Sequence, residues 1–335
     1  MSRLRLLAAV LALALIAACA GPDPAGPPSP PGSVAPAITA SALIADDGMR
    51  LPLKSWLPEG KPKAVILALH GFNDYSNAFT DTGESWAKLG IATFAYDQRG
   101  FGAAPDHGLW AGAPRLAADA SGATAVLHAR YSGVPIFLLG ESMGGAVAIV
   151  TETGVEGAPR PAVAGLILVA PAVWGRSTMT GPERLALWFG DNLLPGMKLS
   201  GHGLGIMPSD NIEMLRALSR DPLVIKETRI AAIKGLVDLM DDALAAAPQL
   251  HAPMLFLYGD HDDLIPREST RKFLAALPTD GPRRIAFYPT GYHMLLRDLG
   301  AEVVRRDVET WVANPDIALP SGADRHAEET LAATH

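Results

Sequence analysis

The chemistry-bearing part of this chain is a serine between two glycines, Gly140-Glu141-Ser142-Met143-Gly144, with Gly145 next. An apolar β-type run, Val134 to Leu139, leads into it, and a small-residue helical run, Ala146 to Val150, leads away. A strand that turns sharply into a helix leaves Ser142 at the tip of the turn. Gly140 and Gly144 leave room where a side chain would clash. The hydroxyl then stands at a helix N-terminus, where developing negative charge is stabilised. A serine hydroxyl is a weak nucleophile and needs a base, with an acid to orient that base. His293, in Gly291-Tyr292-His293-Met294-Leu295, lies in a loop before the last helical run, Leu296 to Ala313, and fits the base. His70 ends an apolar strand and is expected to brace its loop. His107, His128, His202, His251 and His261 lack a comparable setting. For the acid there are three candidates, Asp260, Asp262 and Asp263, on a loop that follows the strand-like Pro253 to Tyr258. No His/Cys/Asp cluster has metal-ligand spacing, and the isolated His261-x-Asp263 is not a site, so neither metal nor cofactor is expected.

Several elements must position these residues. Ile38 to Ala45 and Arg50 to Leu57 read as strands joined at Asp46-Asp47-Gly48, a hairpin signal. Ala64 to Leu69, Ile91 to Tyr96, Val134 to Leu139, Val163 to Ala170 and Pro253 to Tyr258 are almost continuously apolar, as suits strands of a parallel sheet buried on both faces. Arg284 to Tyr288 is the last strand. Helices are expected over Asn77 to Leu89 and Pro114 to Tyr131. Asp97 and Arg99, in Asp97-Gln98-Arg99-Gly100-Phe101-Gly102, are expected to tie loops beneath the site. Between Pro171 and Leu250 the alternation stops. Helices over Pro182 to Asn192, Asp210 to Ser219 and Val224 to Ala247 read as an inserted lid. Its apolar residues Trp174, Trp188, Phe189, Leu193, Leu194, Met197, Leu204, Ile206 and Met207 are expected mostly to pack it onto the body, a minority lining a pocket. The pattern is that of an α/β fold with a mostly parallel sheet, helices on both faces and a helical lid.

The chain has 335 residues, a formal net charge of −7 and no basic cluster, which excludes a nucleic-acid binder. Met1 to Ala18 pairs a basic start, Arg3 and Arg5, with a short apolar core, Leu6 to Ile16, too short to span a bilayer and typical of an export signal. Its end, Ile16-Ala17-Ala18-Cys19, resembles the lipobox of bacterial lipoproteins. That resemblance implies lipidation of Cys19, the single cysteine, and a place in the cell envelope; with Ala20 next, it favours the periplasmic side of the outer membrane. Gly21 to Pro36, rich in Pro, Gly, Ser and Ala, reads as a tether. The expected organisation is a signal at 1–18, a lipidated cysteine and tether at 19–37, a core at 38–171 and 251–315, a lid at 172–250 and a polar tail at 316–335.

The order Ser142, acid, His293 is that of the α/β hydrolases. The chain resembles their monoacylglycerol lipase-like branch, also called lysophospholipases or serine aminopeptidase-like hydrolases, over residues 38 to 315. The motifs are His70-Gly71-Phe72, Asp97 to Gly102, Gly140 to Gly145, Asp221-Pro222-Leu223, Gly259-x-x-Asp262 and His293. The resemblance implies an α/β-hydrolase fold, Asp262 as the acid, and backbone N–H groups of Phe72 and Met143 as the oxyanion hole. It implies a serine esterase acting on a lipid ester such as a monoacylglycerol or lysophospholipid, with no cofactor. A proline-iminopeptidase-type aminopeptidase is the alternative enzyme, with Glu183, Asp191, Asp210 or Glu213 of the lid available to bind a free amino terminus. A non-catalytic envelope lipoprotein is the alternative of another class.

Overall fold

The computed structural model describes residues 30–154, 159–201 and 205–333. The signal, Cys19 and most of the tether lie outside the described residues, as do His202 and Leu204. Strands β1 (Ala37–Ile38), β2 (Ala42–Ile44) and β3 (Arg50–Trp56) form an antiparallel meander, with the expected turn between β2 and β3. The run from Ile38 to Ala45 is thus two strands, because the Thr39 hydroxyl takes the Ala42 N–H at 3.0 Å and turns the chain. The fold also begins before residue 38. Val34 N–H donates to Asp46 O at 2.8 Å, so the end of the tether is bound to the body.

β4 (Ala64–Leu69), β5 (Ile91–Tyr96), β6 (Ile136–Glu141) and β7 (Gly165–Val169) follow, each buried along its length. After them come β8 (Lys198–Ser200), β9 (Glu227–Arg229), β10 (Met254–Gly259) and β11 (Arg283–Tyr288). The main sheet has the order β1-β2-β3-β5-β4-β6-β7-β10-β11, and the strands from β5 to β11 are mutually parallel. Parallel strands end on one edge, where ligands of such sheets bind. The ends of β4, β6 and β10 and the segment after β11 thereby carry His70, Ser142, Asp262 and His293 to a common edge.

The helices are α1 (Thr80–Lys88), α2 (Ala113–Arg130), α3 (Met143–Thr153), α4 (Gly181–Leu193), α5 (Ile212–Arg220), α6 (Ile230–Ala246), α7 (Arg267–Ala276), α8 (Ala301–Ala313) and α9 (Ala323–Ala332). α3 is buried from Met143 to Glu152, which explains its run of small and apolar residues. The lid helix expected from Val224 is α6 alone. Residues 227–229 instead form β9, which pairs antiparallel with β8 in a ribbon the sequence did not signal. α8 starts at Ala301, not Leu296, because Leu295 and Leu296 are buried in the turn that follows His293. The stretch expected as a polar tail contains α9. Ala323, Asp324 and Ala327 are buried against the β11 side of the sheet, and Asp324 pairs with Arg284 at 3.0 Å. Among the described residues no helix is long and apolar enough to cross a membrane.

Candidate active site

Ser142 joins β6 to α3 with φ 53° and ψ −117°, a conformation side-chain-bearing residues rarely adopt. It is held there by Ser142 N–H donating to Val169 O at 3.0 Å and Ala172 N–H donating to Ser142 O at 2.8 Å. The glycines are required by close approach. A Cβ on Gly140 would lie 2.1 Å from Gly144 O, and one on Gly144 would lie 2.0 Å from Leu69 O. Met143 is the first residue of α3, so its N–H has no partner within the helix. The loop after β4 runs against the serine, since a Cβ on Gly71 would stand 3.4 Å from Ser142 Cβ. Phe72 follows Gly71 and lines the same cavity as Ser142. The structure therefore brings both expected oxyanion segments to the serine.

His293 is buried, and its Nδ1 lies 2.8 Å from Asp262 Oδ2. An ionised carboxylate only accepts, so Nδ1 carries the proton and Nε2 is left as an acceptor. Burial disfavours the imidazolium, but the Asp262 charge and hydrogen bond outweigh it, with help from Glu141, and the His293 pKa is raised. The other Asp262 oxygen is fixed by Leu264 N–H at 2.8 Å and Ile265 N–H at 3.0 Å. The three acid candidates separate cleanly. Asp260 faces away, to Arg267 at 2.8 Å and His326 at 2.8 Å, and Asp263 is exposed.

His70 is a brace. Gln98 N–H donates to its Nε2 at 2.9 Å, so its Nδ1 donates to Gly71 O at 2.8 Å, and the ring is neutral. Burial lowers its pKa and keeps it so. Asp97 accepts from Ser76 N–H at 3.0 Å and Ala103 N–H at 2.8 Å, tying two loops. Arg99 does not pair with Asp97. It bridges Asp47 at 2.7 Å and Asp119 at 2.6 Å in a buried cluster. Asp221 accepts from Tyr75 hydroxyl at 2.7 Å, and Asn73 donates to Thr228 Oγ1 at 2.7 Å, so the lid grips the loop that carries Phe72.

Ser142 and His293 open into a cavity of about 580 Å³, a size that suits a small-molecule site. Its lining divides by origin. The lid and its connections contribute Trp174, Met179, Leu187, Leu199, Ile230, Ile233, Leu236, Val237 and Met240, and the one charged residue from α4, Glu183. The body contributes the apolar Phe72, Leu264, Ile265 and Met294 and four polar residues, Asn73, Asp74, Glu141 and Arg297. Arg297 donates to Asp74 at 2.7 Å and to Glu141 at 3.0 Å, and these carboxylates hold its pKa high against burial. Sequence reasoning assigned no role to these four residues, although a charge at the end of an otherwise apolar strand, as at Glu141, is a usable signal. The lid's apolar residues do not mostly pack onto the body. Trp174 lines the cavity, whereas Trp188, Phe189, Leu193, Leu194, Met197, Ile206 and Met207 are exposed. Helix α4 is thin cover over the cavity, so one face lines it and the rest meets solvent. Among the described residues, no group of three His, Cys, Asp or Glu could hold a metal ion.

A comparison with known families matches residues 60–300 to the family described as serine aminopeptidase, S33. The chain belongs to this family. It is a serine hydrolase with the α/β-hydrolase fold. The human monoglyceride lipase is 26% identical over 298 residues, covering 87% of this chain and 96% of that protein. The monoacylglycerol lipase of Mycolicibacterium smegmatis is 23% identical over 269 residues, covering 80% and 94%. Among solved structures, a soluble variant of the Saccharomyces cerevisiae monoglyceride lipase with a substrate analogue superimposes with a TM-score of 0.67, at 17% identity, covering 87% of this chain and 98% of that one.

Proposed function

We propose that this serine hydrolase cleaves carboxylic esters of medium or long acyl chains and small alcohols, of monoacylglycerol or lysophospholipid type, through Ser142, His293 and Asp262. The observation that carries the reading is an apolar, lid-covered cavity of about 580 Å³ that opens on Ser142 and on a histidine whose Nδ1 is engaged by a buried carboxylate. Nε2 of His293 takes the Ser142 hydroxyl proton as Oγ attacks the ester carbonyl. Asp262 holds the ring in the tautomer this requires and stabilises its charged form. The N–H groups of Phe72 and Met143 take the negative oxygen of the tetrahedral intermediate, a pair of bonds of which each is worth about 3–4 kcal/mol of barrier. The intermediate collapses, the C–O bond breaks and the alcohol leaves with the proton from His293. Water, deprotonated by His293, then cleaves the acyl-enzyme, releasing the fatty acid and restoring Ser142. The names of the relatives support an ester substrate.

The aminopeptidase reading needs a lid acid free for an ammonium group. Glu183 lines the cavity but accepts from Thr180 N–H at 2.7 Å to cap its own helix. Asp210 accepts from Leu299 N–H at 2.8 Å and Glu213 pairs with Arg216 at 2.5 Å, and neither lines the cavity; nor does Asp191. This favours the ester. At the membrane, the lipobox-like Cys19 supports a lipid anchor in the cell envelope. The test is hydrolysis of p-nitrophenyl esters from acetate to palmitate by the wild type and Ser142→Ala. Activity rising with chain length and lost in the variant is expected. Hydrolysis unaffected by Ser142→Ala would remove the central assignment, and a wild type inactive on every ester would return weight to the aminopeptidase and binding-protein readings.

A further inference from the structure

His293 stands on a connection without helix or strand, between the end of β11 at Tyr288 and the start of α8 at Ala301. A catalytic group must be held to within about 0.5 Å of its working position, so other contacts must fix this stretch. The peptide groups on either side of the histidine show which. Tyr292 N–H donates to Asp298 Oδ2 at 2.8 Å, and Met294 N–H donates to Pro208 O at 3.0 Å. Pro208 belongs to the lid. The other Asp298 oxygen, Oδ1, accepts from the hydroxyl of Ser209, also of the lid, at 2.6 Å. Two more bonds follow in register: Leu299 N–H donates to Asp210 Oδ1 at 2.8 Å, and Asn211 Nδ2 donates to Arg297 O at 3.0 Å. The acid loop adds one, from His261 N–H to Gly291 O at 2.9 Å. Lid residues 208, 209, 210 and 211 thus each bond to the segment that carries the base. Ser209 and Asp298 are both buried, where a lost partner is costly. By contrast α4, the part of the lid that covers the cavity, has no buried residue.

We propose that Ser209 and Asp298 are positioning residues, through which lid residues 208–211 form a strut that fixes the main chain on both sides of His293. The inference rests on His293 as the base and deepens that reading. It divides the lid into two parts. One covers the substrate, and the other is scaffold for the catalytic histidine. Asp262 sets the tautomer of the ring through Nδ1, while the strut sets where the ring stands. Neither Ser209 nor Asp298 lines the cavity, so neither touches substrate, and their loss acts on turnover rather than on binding. Asp298 serves by geometry. Its two oxygens accept one O–H and one N–H, and no cation faces it in these contacts.

The test is steady-state hydrolysis of p-nitrophenyl butyrate by Ser209→Ala, Asp298→Ala and Asp298→Asn, with amide hydrogen exchange read over residues 290–298. Ser209→Ala removes one oxygen atom and leaves Asp298 Oδ1 without its donor. Its kcat is expected to fall by about tenfold to a hundredfold, the upper figure being the cost of a 1 Å misplacement. KM is expected to stay within about threefold, as for an interaction that acts on the transition state alone, and exchange over 290–298 to quicken in the folded protein. Asp298→Ala is expected to do the same. In Asp298→Asn the amide oxygen still accepts from Tyr292 N–H and the –NH2 donates to Ser209 Oγ, so most of the kcat lost in Asp298→Ala is expected to return. A folded Ser209→Ala with a lower melting temperature but the wild-type kcat overturns the proposal, since the strut is then structural only. Asp298→Asn as slow as Asp298→Ala also overturns it, since charge and not geometry is then what counts. If Asp298→Ala fails to fold, Ser209→Ala decides. His293→Ala, run alongside, separates the two readings. Activity surviving in it removes the base and the strut together, whereas activity lost there but intact in Ser209→Ala overturns the strut alone.

Discussion

Replacing Asp262 by Asn tests the core of the catalytic reading, because the structure dictates how the amide must sit. Asp262 Oδ1 accepts from the N–H groups of Leu264 and Ile265. The Asn oxygen must take that place, since an –NH2 there would meet two donors. The amide nitrogen is then turned toward His293 Nδ1, where the carboxylate oxygen lies at 2.8 Å in the native protein. Facing a donor, Nδ1 must give up its proton, and the ring's single N–H moves to Nε2. That tautomer cannot take the proton of Ser142. The expected loss in kcat is about 10⁴-fold, the size of this substitution in a serine protease triad, or about 5.4 kcal/mol of barrier at 1.36 kcal/mol per decade. The pH profile supplies a second readout. Activity requires neutral His293 and falls as pH drops through its raised pKa. Without the Asp262 charge, burial prevails and lowers that pKa, so the acidic limb of the residual kcat/KM moves to lower pH. Steady-state hydrolysis of p-nitrophenyl butyrate across pH 5 to 10 reads both. A folded variant within tenfold of the wild type, or an acidic limb that moves to higher pH, refutes the reasoning.

Three further outcomes are expected. Ser142→Gly abolishes ester hydrolysis yet raises the melting temperature, because glycine accepts the φ 53° backbone and relieves about 1 kcal/mol of strain; a lower melting temperature by calorimetry contradicts the stored strain. Arg99→Met removes the buried guanidinium that bridges Asp47 and Asp119 and leaves them only the longer contacts of Arg115, at 3.7 Å and 3.2 Å, at a cost of about 3 kcal/mol. In that variant the carboxylates have pKa values raised above their unfolded ones, so the loss in urea unfolding is greater at pH 8 than at pH 5, and equal losses at both count against the cluster. Cys19→Ser moves the protein expressed in a bacterial host from the membrane fraction to the soluble periplasmic fraction, and an unchanged distribution rules out lipid anchoring through Cys19.

What could be read from the sequence was local. The elbow is one contiguous stretch, and the close contacts of Gly140 and Gly144 act within it or on the neighbouring β4, so composition and order were enough to place Ser142. The buried parallel strands announced themselves by unbroken apolarity, and the sheet edge where they end was implied by being parallel. Asp262 was another matter. Spacing left three aspartates on one loop, and only the family pattern chose among them. The structure shows why spacing could not. Asp260 is engaged by His326 on α9, a helix hidden in a stretch of alternating alanine and charge that lacks a wide apolar stripe. The lid defeated prediction for the opposite reason. Its apolar residues obey no packing rule when one helix face lines a cavity and the other meets solvent, as Leu187 and Trp188 do on α4. β8 is exposed along its whole length, so it carries no pattern of burial to read. Glu141 lies between these cases. It breaks the apolar run of β6 at its last position, and a charge there is tolerated only because Arg297, 156 residues later, meets one of its oxygens. The partner was invisible in sequence, but the anomaly was not. Within a continuous apolar strand, the residue that breaks the rule marks where the fold has reserved a polar contact.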